Sequence, residues 1–251
     1  MGVCTVGYTA GFTSGPVPVI ICGYRFYAPQ VRQVLPSDYN FAVRETIQRE
    51  YYSQVEAEKV LWVPEVSLEA AGSVDYVVVD RTDLNNFLCV EFQAAGTTGT
   101  PWEAVLEFQK TGKFSKDRYD FGINWANEFS KTMMQQAYKK GVIMESWHRR
   151  IVFAIQEVGM TYLELNSDAS GLHEKDDRDA VHFCTFNMAW IPSEQRWGLR
   201  LARKLSTDAE GVRKMLSGTP EGAWPTEAGF VENIVRKMRA ERLGPSSQAH
   251  L

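Results

Sequence analysis

The spacing of apolar residues changes several times along the chain, and each change predicts an element. Phe41, Ile47, Tyr51 and Val55 recur at helical spacing, which predicts an amphipathic helix over residues 40–59 capped near Asp38 or Asn40. Residues 61–68 follow as a strand running into a turn. Two strongly apolar runs come next, at 73–79 and 87–93, separated by a polar, turn-like segment at 80–86. Adjacent antiparallel strands are the simplest arrangement for them. The turn at 96–101 then breaks the pattern before a helical stretch that starts near Trp102.

Trp125, Phe129, Met133 and Ala137 repeat every four residues and predict a helix over 125–140 with one buried stripe. Strands are expected at 151–158, at 162–165 and at 180–191, with 167–179 a polar loop. In the last of these strands Phe183, Thr185, Asn187 and Ala189 share one face, and Cys184, Phe186, Met188 and Trp190 the other. Thr207-x-x-Glu210 matches a capping box ahead of Val212, Met215 and Leu216, and Gly218 and Pro220 stop that helix. A final helix is expected over 226–239 with Phe230, Ile234, Val235 and Met238 turned inward. The Gly- and Pro-rich start, with apolar stretches at 17–22 and 24–27, reads as an irregular arm (about 1–39) or as short strands laid on the core. The sum is an α/β fold, a mixed central β-sheet flanked by α-helices, in one domain over 1–243 with a flexible tail at 244–251.

Composition narrows the picture little. Thirteen Phe, ten Tyr and seven Trp in 251 residues indicate a chain that folds around a substantial core. No apolar run is long enough to span a bilayer, and the start lacks the basic-then-apolar pattern of a secretion signal, so a cytoplasmic location with no membrane partner is expected. Cys4, Cys22, Cys89 and Cys184 form no CxxC pair, and four scattered histidines make no zinc set. Cys89 and Cys184, inside apolar runs, are expected as buried free thiols. The net charge of −4 is unevenly spread: acids outnumber bases over 1–100, and bases outnumber acids over 196–242. An acidic catalytic half beside a basic flank is compatible with a metal-dependent nuclease, and with much else.

The chemistry concentrates in the paired strands. Glu91 and Gln93 point to the same face as Cys89, while Leu88, Val90 and Phe92 point to the other. A carboxylate on so apolar a strand requires a partner, either an Arg or Lys or a cation. Asp75, in the preceding strand, is close enough after a hairpin to share a site with Glu91. Two converging carboxylates repel unless a cation joins them, and all-oxygen ligation is what Mg²⁺ prefers. On that reading Asp75, Glu91 and the Phe92 carbonyl hold the metal, while Gln93, which does not titrate, orients water or contacts a phosphate. A satisfied salt-bridge network is the other reading of the same residues.

Asp75, fifteen intervening residues and Glu91-x-Gln93 resemble the signature of the PD-(D/E)xK nuclease superfamily, in the form where glutamine replaces lysine. Within it, Glu65-Val-Ser67, Ser73-Val-Asp-Tyr76, Val90-Glu-Phe-Gln93 and the stretch from Asn127 to Lys139 resemble segments of the NotI restriction endonuclease family. The resemblance implies a restriction-endonuclease-like sheet and Mg²⁺-dependent cleavage (Mn²⁺ substituting) of both strands of double-stranded DNA at a short palindrome. It further implies a homodimer and a cognate DNA methyltransferase in the same host. Glu65 becomes an additional catalytic carboxylate, and Gln135 and Tyr138 become helix residues that support the site. The chain departs from the family in lacking the N-terminal cysteine cluster that binds iron, so neither iron nor zinc is expected.

For DNA contacts, Lys110, Lys113, Lys116 and Arg118, the pair Arg149 and Arg150, and the run from Arg200 to Lys204 are candidates for phosphates. The turn at 96–101 offers N–H groups and hydroxyls near the site. A repair or structure-dependent nuclease with the same core, or a non-catalytic DNA-binding protein that kept the fold, are the rival readings.

Overall fold

A computed structural model describes residues 5–23, 26, 38–113, 121–191, 196–218 and 226–242. The expectations for Cys4, for most of 24–27, for Lys116 and Arg118, for Pro220 and for the tail fall outside these residues. Strands β1 (Thr5–Tyr8) and β2 (Val17–Ile20) pair antiparallel, so part of the N-terminal arm is a ribbon laid on the core through Val19 and Ile20. Gln156 fastens it, accepting from the Ile20 N–H at 2.5 Å and donating to the Pro18 carbonyl at 2.9 Å.

Helix α1 (Asp38–Tyr51) ends earlier than its periodicity predicts. Val55 is buried all the same, because a turn after Tyr52 brings it back to the core; the spacing detected burial, not helix. β3 (Val60–Ser67), β4 (Ser73–Asp80) and β5 (Asp83–Gln93) then run antiparallel in succession. The polar segment expected as a loop at 80–86 is mostly exposed strand. Asp80 Oδ1 accepts from the Thr82 N–H at 2.8 Å and from its hydroxyl at 2.6 Å, a tight side-chain-capped turn that lets the strands pair almost to their ends.

Helix α2 (Trp102–Thr111) follows, then a π-helical segment (Ala126–Met133) continuous with α3 (Met134–Ser146). Phe129, Met133 and Ala137 of the predicted stripe are nearly or fully buried. β6 (Ile151–Gln156) lies parallel to β5. The short strand expected at 162–165 is instead part of helix α4 (Glu157–Asn166), whose Gly159, Met160 and Leu163 face inward at helical spacing. β7 (His173–Glu174), β8 (Val181–Ile191) and β9 (Arg196–Thr207) complete a seven-stranded mixed sheet in the order β3-β4-β5-β6-β8-β9-β7. The two faces predicted for β8 are observed, with Phe183 in one core cluster and Cys184 and Phe186 in the other.

Nothing in the apolar pattern announces β9, because its cations disguise the alternation: Arg203 pairs with Glu157 and Glu164, and Lys204 with Glu50. Helix α5 (Ala209–Ser217) is capped by Asp208, which accepts from the Gly211 N–H at 2.7 Å; Thr207, the expected cap, ends β9 and donates to the Gly171 carbonyl at 2.8 Å. Helix α6 (Glu227–Arg242) departs furthest from expectation. Phe230, Ile234 and Val235, expected inward, are exposed at 62, 43 and 40%, with Val231 beside them at 49%; the Met238 side chain lies outside the described residues. Among the described residues no helix is long and apolar enough to cross a membrane.

Helix α1 covers one face of the sheet, burying Val43, Ile47, Tyr51 and Tyr52 against Val78, Leu88, Val90, Val152 and Phe186. The π segment with α3, α4 and α5 covers the other through Met133, Met134, Ala137, Met144, Met160, Leu163 and Val212. Cys89 and Cys184 are buried free thiols, as expected, and burial pushes each up to about 12. Gly141 lets α3 press closely on β8, for a Cβ there would meet Val181 Cγ2 at 2.6 Å.

His182 is fully buried on β8, its Nε2 2.9 Å from the Asp179 carbonyl, and burial lowers its pKa to about 4. A folded pKa below the unfolded 6.5 means that the unfolded chain takes up the proton first. Its stabilising contribution is present above pH 6.5 and is lost as pH falls towards 4, by at most about 3 kcal/mol. Urea denaturation across that range should show this slope, and His182→Gln should flatten it; an unchanged slope would contradict the assignment.

Candidate active site

The strand registers put three carboxylates in one row. Pro64 pairs with Tyr76 and Val66 with Val74, while Tyr76 pairs with Val90. Extending these registers by one residue sets Glu65, Asp75 and Glu91 side by side across β3, β4 and β5. Burial deepens along the row: Glu65 is exposed, Asp75 half-buried and Glu91 only 7% exposed. Glu65 has a left-handed backbone (φ 52°), which displaces it from the regular pleat.

Asp75 and Glu91 meet on the face covered by α3. Neighbouring positions on paired strands bring their carboxyl groups close enough for each to affect the other's titration. Asp75 Oδ2 also accepts from the Phe92 N–H at 2.8 Å, taking an amide that a backbone carbonyl of a regular ladder would otherwise bind. Burial raises the Asp75 pKa, the Phe92 N–H and Lys140 oppose that, and the charge of Glu65 adds to it. Glu91 is pushed up to about 7, first by burial and further by the negative charge of Asp75, against the pull of Lys140. The pair therefore holds more negative charge than its surroundings readily accommodate.

Lys140 is the site residue that sequence reasoning missed. It is 2% exposed, and its ammonium is bonded to Glu91 Oε1, to the Ser73 carbonyl at 2.8 Å and to Gln136 Oε1 at 3.3 Å. Three donors meet three acceptors. A signal for it was present in the chain: Met133, Ala137, Lys140 and Met144 follow the four-three-four spacing of a core-facing stripe, and all four are buried. A lysine at such a position requires an acid, and Glu91 was the buried acid already in hand.

The remaining expectations divide. Gln93 shares the face but its amide donates to the Ala94 carbonyl at 2.8 Å, so no hydrogen bond ties it to the carboxylates. Gln135 is exposed and does not support the site; the neighbouring Gln136 does. Tyr138 lines a groove with Ser67, Leu68 and Trp147 rather than the carboxylates. Glu128, also unforeseen, lies against Gly96, where a Cβ would come within 2.4 Å of its Oε1, and so brings a further acid to the end of β5. The π-helical segment carries Glu128; such segments are frequent at functional sites.

Among the cations expected to meet phosphates, Lys110 and Lys113 are exposed, whereas Arg150, Arg203 and Lys204 are paired with Asp177, Glu157 and Glu50. The turn at 96–101 is partly committed, its Thr98 N–H donating to the Gly122 carbonyl at 2.8 Å.

Among the described residues no group of three or more His, Cys, Asp or Glu side chains is arranged to hold a metal ion. The donor set nevertheless fits Mg²⁺, which is commonly bound through one or two carboxylates and keeps several waters. Asp75 and Glu91 supply two hard oxygen donors, the second of them shared with Lys140. The Phe92 carbonyl leaves its strand on the same side as the N–H that Asp75 accepts, because both groups of one residue in a strand point the same way. No protein-family model matches the chain, and no curated protein matches it.

Proposed function

We propose that this chain is a Mg²⁺-dependent restriction-type endonuclease that hydrolyses both strands of double-stranded DNA at a short, palindromic sequence. One observation carries the reading: two carboxylates on adjacent strands, Asp75 half-buried and Glu91 buried, meet side by side beneath α3. Lys140 answers one of the two acids; Asp75, bonded to the Phe92 N–H, adds beside it a second charge that the lysine does not neutralise. Asp75, Glu91 and the Phe92 carbonyl would hold the cation, with Glu65 beside Asp75 adding negative charge from the exposed end of the row. When bound, such a cation lowers the pKa of a water and offsets charge on the phosphate. Mn²⁺ is expected to substitute. Gln93, on the same face, turns its amide from the Ala94 carbonyl to orient the attacking water or a phosphate oxygen. Burial of Glu91 under α3 keeps bulk water from the base of the site.

The test is incubation with a large unmethylated DNA in Mg²⁺, Ca²⁺ or EDTA. Discrete fragments in Mg²⁺ alone are expected; fragments of every length would point to a repair or structure-dependent nuclease on the same core. A second reading is favoured by Lys140, which already neutralises Glu91: a non-catalytic DNA-binding protein that kept the fold. Duplex binding with no product in Mg²⁺ or Mn²⁺ would establish it and end the first.

A homodimer suits cleavage of two antiparallel strands at a symmetric site. Helix α6 supports this, since its exposed apolar stripe has Glu227 and Glu232 towards one end and Arg236 and Lys237 towards the other. Two copies laid antiparallel place acids against bases while covering the stripe. Phe230→Asp with Ile234→Asp should therefore convert a two-chain mass to a one-chain mass in light scattering; a wild-type protein of one-chain mass would refute the dimer. A cytoplasmic setting and a cognate DNA methyltransferase belong to the same proposal.

A further inference from the structure

The structure assigns Lys140 a role beyond balancing charge: it is a built-in stand-in for the divalent cation, holding Glu91 until a metal is chelated and leaving it when one is. The inference rests on the metal-holding role proposed for Asp75 and Glu91.

The ammonium occupies the carboxylate that the cation requires. Lys140 Nζ is bonded to Glu91 Oε1, and its other two hydrogens are taken by the Ser73 carbonyl and Gln136. Asp75 and Glu91 together carry two negative charges when ionised. With Lys140 bonded to it, Glu91 already has its charge met, and a divalent cation that takes this carboxylate must displace the ammonium from Oε1. Two positive charges at one carboxylate repel each other, so the ammonium and the divalent cation compete for Glu91.

The surroundings also say which part moves. Gly141 brings α3 to within van der Waals contact of β8, with no room for even a methyl group before Val181. Met133, Ala137 and Met144 lock the same helix into the core. The backbone of α3 is fixed, so the ammonium can leave Glu91 only by rotation of the lysine side chain. Gln136, one turn back, and the Ser73 carbonyl already hold two of the ammonium's hydrogens and would keep it when Glu91 is released.

The test compares Mn²⁺ binding by calorimetry in wild type, Lys140→Met and Glu91→Gln, alongside the ¹H–¹⁵N lysine-ammonium signals of the wild-type protein titrated with Mg²⁺. Lys140→Met should bind Mn²⁺ about tenfold tighter or more, the factor that corresponds to removing a modest competing interaction. In wild type the protected ammonium signal of Lys140 should shift or vanish as Mg²⁺ saturates the site. If wild type binds Mn²⁺ and Lys140→Met binds it no more tightly, the stand-in role fails while the metal site survives. If neither binds, and Glu91→Gln matches both, the metal site itself fails and the inference with it. Should Lys140→Met not fold, the ammonium signal decides, and an unchanged signal at saturating Mg²⁺ overturns the proposal.

Discussion

Replacing Glu91 by Gln should lower DNA cleavage by at least ~10³-fold while leaving duplex binding in Ca²⁺ intact or stronger. The amide keeps the shape of the side chain and one oxygen for Lys140, whose bonds to Ser73 and Gln136 are untouched and whose charge Asp75 still meets in part, so the variant should fold at a cost in stability. What is lost is one of the two negative charges that make the site a chelator. Losing it also removes a source of repulsion from a phosphate backbone, hence the expected gain in affinity. Asp75 should stay above the ordinary carboxylate range, since burial and the charge of Glu65 hold it there. Initial rates on a cognate fragment, with gel-shift binding measured in parallel, separate these effects. Equal cleavage by the variant would remove Glu91 from the chemistry altogether.

The second large effect is on stability. Lys140→Met should destabilise the protein by about 3–5 kcal/mol, because it strips the counter-charge from a buried carboxylate that already faces Asp75. The side chains are only 3 and 10% exposed, so solvent screens little of this. Adding Glu91→Leu to the same chain should recover most of the loss, since an ion pair replaced as a unit by apolar groups leaves no orphaned charge. Urea denaturation of the two single variants and the double variant gives the coupling directly. A double variant no more stable than Lys140→Met would mean that packing of the lysine stem, not charge, is what Lys140 contributes.

The hairpin at the centre of the site was legible because alternation over 73–79 and 87–93 fixes which side chains share a face. The pairing of Asp75 with Glu91 was legible only in part. It depends on how many residues the turn consumes, and the Asp80 side chain makes that turn far tighter than its polar composition implied. Lys140 was written in the helical spacing but hidden by habit, since a lysine on a helix is usually a solvated one. Strand β9 was illegible for a different reason: Arg203 and Lys204 read as exposed charge until Glu157, Glu164 and Glu50 arrive from distant parts of the chain to pair with them. The error at 162–165 came from aromatic and apolar residues too few to fix a period. Helix α6 has the right period, but period reports only that a helix has an apolar side and not that anything in the same chain covers it.

β3 is the outermost strand on the side of the sheet that bears the carboxylates, and it shows apolar flesh there, with Leu61 and Val63 each 39% exposed. A rim of that kind invites identical chains to zip together into fibres. Pro64 has no amide hydrogen and Glu65 kinks the backbone into the left-handed region, so the row of donors is interrupted where templating would begin. The residues that shape the mouth of the site thus also guard the chain against polymerising on itself, and swapping them for valine and threonine would trade that immunity for a sticky, growing edge.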